Sequence, residues 1–101
     1  MMKDLEDKQK RRRTRTQRDS LDLALTDLTA FYRDVLALQL GSRVAIANAD
    51  AEETLDRLAR DGSPESTLRR IEAIAACRDA LDRNVAPLLA VEAMTMALRA
   101  G

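Results

Sequence analysis

The sequence predicts an all-α fold, a small four-helix bundle whose long first helix is extended at its N-terminus, and three observations lead there. Ala and Leu dominate a chain of 101 residues, only Phe31 and Tyr32 are aromatic, and Gly and Pro number three and two. Good helix formers therefore outweigh the β-branched and aromatic residues that a sheet would need. Apolar residues also recur at spacings of three and four, the helical period. Finally, most of the candidate helices are bounded by residues that start or stop a helix. A chain of this length holds one domain around one modest core.

The first helix is predicted over 3–40. Its central stretch places Leu21, Leu25, Leu28, Tyr32, Val35 and Leu36 in one stripe, with Phe31, Leu38 and Ala24 about a quarter-turn away, and Gly41 supplies the stop. Residues 1–18 form a different segment. Leu5 is their only apolar residue after the initial methionines, so they cannot supply a core face, yet Asp4/Lys8, Glu6/Lys10 and Asp7/Arg11 are acid-before-base pairs at i,i+4 that favour a solvated helix. We expect a basic helical extension over 1–18 and a folded body over 19–101.

Beyond Gly41, Val44 and Ile46 are too brief a cluster for a strand without partners, so a loop that drops one of them onto the core is expected. Asp50 is a candidate N-cap for a short second helix over 50–60, with Glu52 and Glu53 in its first turn and Leu55, Leu58 and Ala59 on its apolar side. Ser63-Pro64-Glu65 starts the third helix, 64–83: a capping hydroxyl, a proline at the first helical position and an acid at the positive end of the dipole. Leu68, Ile71, Ile74, Ala75 and Leu81 make its predicted core face, with Arg78 in the same stripe. Asn84 and Pro87 mark the next boundary, and a fourth helix is expected over 85–99.

That fourth helix is apolar nearly all round, through Leu88, Leu89, Val91, Met94, Met96 and Leu98. Two arrangements fit: a central helix wrapped by the others, or a terminal helix with part of its surface in a subunit interface. Phe31, Leu38, Met94 and Leu98 are the interface candidates. Arg78 and Glu92 both interrupt apolar stripes, and an unpaired charge there is costly, so the two are expected to form an ion pair.

The formal net charge is zero, but it is unevenly spread. Residues 1–18 carry eight Lys and Arg against three acids, while 19–101 carry nine against fourteen. An acidic body is a poor surface for nucleic acid. The run Lys10, Arg11, Arg12, Arg13 and Arg15 is the one candidate nucleic-acid contact; without interleaved aromatics it reads first as a solvated face. Histidine is absent and Cys77 is the only cysteine, which excludes histidine-based acid–base chemistry, an intramolecular disulfide and a cysteine metal cluster. Cys77, beside Ile74, Ala75 and Ala76, is read as a packing residue. No phosphate-binding glycine loop is present, so no cofactor, metal or catalytic residue is assigned. With no membrane-length apolar run and no secretory signal, a cytoplasmic location is expected.

The segment DLTAFYRDVLALQLG, the NAD at Asn48–Asp50 and the helix IEAIAACRDALDRNVAPLLAVEAM, in this order and spacing, resemble the C-terminal helical domain of the delta prime subunit of bacterial DNA polymerase III. The resemblance runs from about residue 3 onward, and its most specific pieces are Tyr32-Arg33-Asp34, the turn Asn84-Val85-Ala86-Pro87 and the leucine-rich segment with Glu92. In that family the C-terminal helices form a collar that joins clamp-loader subunits, and an N-terminal ATPase module carries a zinc element and an arginine acting on a neighbour's ATP. That module has no counterpart here, so none of its sites is transferred. The resemblance implies an excised collar domain whose partners are clamp-loader subunits of the gamma/tau and delta types, with DNA met only through the assembly. Self-association of the isolated chain is the alternative cover for its apolar surface. The competing functional classes are a stand-alone helical protein that binds nucleic acid through its basic arm and a generic helical homodimer.

Overall fold

The structure, a computed structural model, describes residues 2–42 and 48–101. Four helices follow one another: α1 (Met2–Gln39), α2 (Glu52–Asp61), α3 (Pro64–Asp82) and α4 (Pro87–Ala100), with a 3-10 turn over Ala49–Ala51 ahead of α2 and no strand among the described residues. The predicted all-α class and helix order hold, each boundary within two residues. At about 1.5 Å per residue α1 is roughly 57 Å long. It sets the longest dimension of a molecule measuring 60 × 26 × 17 Å.

Punctuation explains the ends. Gly41 adopts φ +85°, its N–H donates to the Leu38 carbonyl, and the Ser42 N–H reaches back to Ala37, the paired bonds that close a helix on a left-handed residue. The same device ends α3 with an asparagine in place of glycine: Asn84 sits at φ 65°, its N–H bonds Leu81 and the Val85 N–H bonds Ala80. Asn tolerates this region better than most residues. Pro87 then opens α4 at a position where its missing N–H costs nothing. Ser63 caps α3 as predicted, its Oγ accepting the Ser66 N–H at 3.1 Å.

Asp50 does not cap α2. Asn48 is tied to α1 and starts the 3-10 turn, Ala51 N–H bonding the Asn48 carbonyl, so Asp50 is taken into that turn and α2 begins after Ala51 without a side-chain cap. Glu52 and Glu53 still occupy the first turn. The expected docking of Val44 or Ile46 lies outside the described residues.

Helix α1 packs on α3 and on α2, and α4 packs on α3. The main core joins Leu25 of α1 to Ile74, Cys77 and Leu81 of α3 and Ala90 of α4, with Leu21, Leu28 and Tyr32 around it from the predicted α1 stripe. Val35 of α1 and Leu55 of α2 are also buried, extending the interior toward the C-terminal end of α1. The core face of α3 is rotated from the prediction. Leu68 and Ala75 are exposed, whereas Thr67 and Cys77 are buried. The reason is that small residues let α4 approach the Cys77 side, and Thr67 can be buried because its hydroxyl donates to Gln39 Oε1 at 2.8 Å. The Gln39 amide nitrogen donates in turn to the Ala59 carbonyl, so one side chain at the end of α1 joins α2 to α3.

The α3–α4 hairpin is fastened at its open end as well. Arg69 donates through Nε and Nη2 to the Gly101 carbonyl at 3.1 and 2.7 Å, and Arg70 Nε donates to the Leu98 carbonyl at 3.3 Å. Cations thus meet the negative end of the α4 dipole.

Candidate interaction surface

With the core on one side of α4, its opposite side is left to solvent, and there large apolar residues stand beside the exposed Glu92, Thr95 and Arg99. Leu88, Leu89 and Met96 are 71, 61 and 72 % exposed. At 100° per residue Leu89 and Met96 lie only about 20° apart, two turns along the same ridge, with Leu88 about 100° round from Leu89. Beside the ridge, between α3 and α4, runs a groove of about 230 Å³. Ala73, Ala76 and Ala80 form one wall and Ala93 and Ala97 the other, Cys77 and Met94 lie between them, and Val85 closes the turn end. No charged side chain enters the lining, and neither α1 nor α2 contributes to it.

Of the interface candidates, Met94 and Leu98 are half-buried and pack against the main core, Met94 also lining the groove, while the large apolar residues of α4 most open to solvent are Leu88, Leu89 and Met96. Phe31 is half-buried, its ring edge-on to Tyr32 with centroids 5.8 Å apart, and Leu38 lines a crevice between α1 and α2 whose rim holds Gln39, Asp56 and Arg60. The four candidates do not share one surface. A signal was present: once Ala90 is taken as the inward position, Leu88 falls about 160° round the wheel and Leu89 and Met96 about 100–120° round, clear of the core.

Arg78 does not meet Glu92. Its Nε donates to Asp22 Oδ1 of α1 at 3.1 Å, and Glu92 is exposed. The side of α3 that carries Arg78 faces α1, because Cys77, Ala73 and Ala80 take the side toward α4; neither charge sits in an apolar interface.

The basic arm is solvated wherever its side chains are described, from Asp4 to Gln17, and α1 first meets the body at Arg18. Arg18 Nη2 donates to Asn84 Oδ1 at 2.7 Å, linking the arm's base to the α3–α4 turn. Arg11 and Arg15 follow this face of α1, at i−7 and i−3 from Arg18, together with Lys10 and Asp7 in one shallow recess. Arg13 borders another recess with Glu6, Gln9 and Lys10, and Arg12 is exposed. At 100° per residue Lys8, Arg11, Arg12, Arg15 and Arg18 fall within an arc of about 120°, one basic side of the arm, with Lys10 and Arg13 outside that arc.

Burial pushes the Cys77 thiol above its ordinary pKa, which keeps it protonated and unreactive, as a packing residue should be. Among the described residues no group of His, Cys, Asp or Glu could hold a metal ion, and no helix is long and apolar enough to cross a membrane. No family model, curated protein or solved structure matches the chain.

Proposed function

We propose that this chain is a protein-docking domain, the helical collar portion of a bacterial clamp-loader subunit of the delta prime type. Its role is to hold that subunit beside neighbours of the gamma/tau and delta types, so that their ATPase modules can place a sliding clamp on primed DNA. The observation that carries the reading is the outer side of α4: a ridge of exposed Leu and Met beside an uncharged groove. Surface of this kind marks a protein interface. The order and spacing of the segments around Tyr32-Arg33-Asp34, Asn48–Asp50 and Asn84–Pro87 support the resemblance to that family, in which such a domain supplies binding energy rather than chemistry. The reading carries a cytoplasmic location and no cofactor.

Mixing the chain with the matching gamma/tau and delta-type subunits and following co-elution tests it. A complex that contains the chain is expected, and separate elution at micromolar concentration would contradict the proposal. Titration of labelled primed DNA with the chain alone separates the competing class. Binding no tighter than the roughly 10⁻⁴–10⁻⁶ M of non-specific contacts is expected of a domain that meets DNA only through its assembly.

A further inference from the structure

We infer that, in the absence of other subunits, the outer side of α4 pairs with a second copy of this chain, the two α4 helices running antiparallel about a two-fold axis near Met96. The inference rests on reading α4 as a docking surface, and it commits to one occupant because of how charge is placed along the ridge.

Glu92 and Arg99 flank Met96, both exposed, seven residues apart and therefore about 20° apart on the helix and roughly 10 Å along it. An acid two turns before a base on the same rim is its own complement when reversed. In an antiparallel copy Glu92 of each chain faces Arg99 of the other, so one arrangement forms the pair twice; a parallel copy sets like charge against like. The midpoint of the two charges falls at Thr95 and Met96. That register puts Met96, among the most exposed large apolar residues of the chain, at the centre of the contact. The same register sets Leu89 past the end of the other copy's α4, so the contact lies along Glu92–Ala100.

Sedimentation equilibrium of the full chain over a range of concentrations tests this. The expected result is a monomer–dimer equilibrium whose dissociation constant rises about thirtyfold or more in Met96→Glu, the scale of losing a central anchor, and is unchanged in Leu23→Glu, a comparably exposed leucine on α1. Glu92→Arg alone and Arg99→Glu alone should each weaken the dimer, while the two together restore it, because both pairs re-form with signs exchanged. Circular dichroism accompanies each variant, and the surface charge exchange keeps the test decisive if Met96→Glu unfolds. A chain that stays monomeric throughout, a dimer indifferent to Met96→Glu in a folded variant, or a double exchange that fails to restore association would each overturn the inference. Its failure is distinguishable from that of the proposed function: a monomer that still joins gamma/tau and delta-type subunits removes only the self-pairing, and a dimer that ignores them removes only the clamp-loader role.

Discussion

Asp34 and Asn48, fourteen residues apart in sequence, are joined twice: Asp34 Oδ2 accepts both the backbone N–H and the side-chain Nδ2 of Asn48, each at 2.8 Å. Asp34 is only 3 % exposed. A buried carboxylate on α1 thereby fixes the point from which the 3-10 turn and α2 start, and Leu55 follows from that register into its buried place beside α1.

Asp34→Ala should cost about 1.5–3 kcal/mol, the scale of hydrogen bonds to a charged group, because the Asn48 donors lose their acceptor. Urea denaturation measures it. A loss under about half a kcal/mol would show that Asn48 finds water equally well and that α2 is positioned by Leu55 alone.

Ile74 is fully buried at the meeting point of three helices. Ile74→Ala should cost about 2–5 kcal/mol, whereas Leu88→Ala, on the exposed side of α4, should stay within about half a kcal/mol. Thermal or urea melts of the two variants compare the inward and outward sides directly; similar costs would mean that the sides of the hairpin are misassigned.

The Arg78–Asp22 pair has side chains 39 and 59 % exposed. It should contribute no more than about 1 kcal/mol and fade with added salt. A double-mutant cycle of Arg78→Ala with Asp22→Ala should return that coupling, and a cycle with Glu92→Ala should return none. Appreciable coupling between Arg78 and Glu92 would contradict the observed arrangement.

The raised thiol pKa of Cys77 sets a pH dependence with a definite sign. The folded state holds the proton more tightly than the unfolded chain, whose thiol titrates near 8.5. This contribution to stability is complete below that value and is lost as pH rises from there through the folded-state pKa. Stability measured from pH 7 to 10 should therefore fall more steeply in the native sequence than in Cys77→Ala. Equal slopes would place the thiol in water.

Helix limits were legible because they are local. Gly41, Ser63-Pro64, Asn84 and Pro87 each act through their own backbone, and the α1 stripe is narrow enough to choose its side unaided. The side of α4 was not legible, since Leu or Met occurs at nearly every angle and periodicity cannot choose among them; the choice was made by Ala90, whose small side chain lets α4 approach α3. Arg78 was assigned a partner on the wrong helix for a related reason: the α3 stripe was read from its largest apolar residues, while the real interior includes Thr67 and Cys77. The Asp50 cap was overridden by Asp34, a contact between distant segments that spacing alone does not reveal.

The most direct test of the account is the affinity of the chain for an assembly of gamma/tau and delta-type clamp-loader subunits, compared between the native sequence and the double variant Leu89→Glu, Met96→Glu. Both positions are solvent-exposed, so the variant should keep its helical circular dichroism. The account predicts a native complex in sedimentation velocity and its loss, by about thirtyfold or more in affinity, in the folded variant. A native chain that does not bind, or a folded variant that binds as tightly as the native chain, would contradict it.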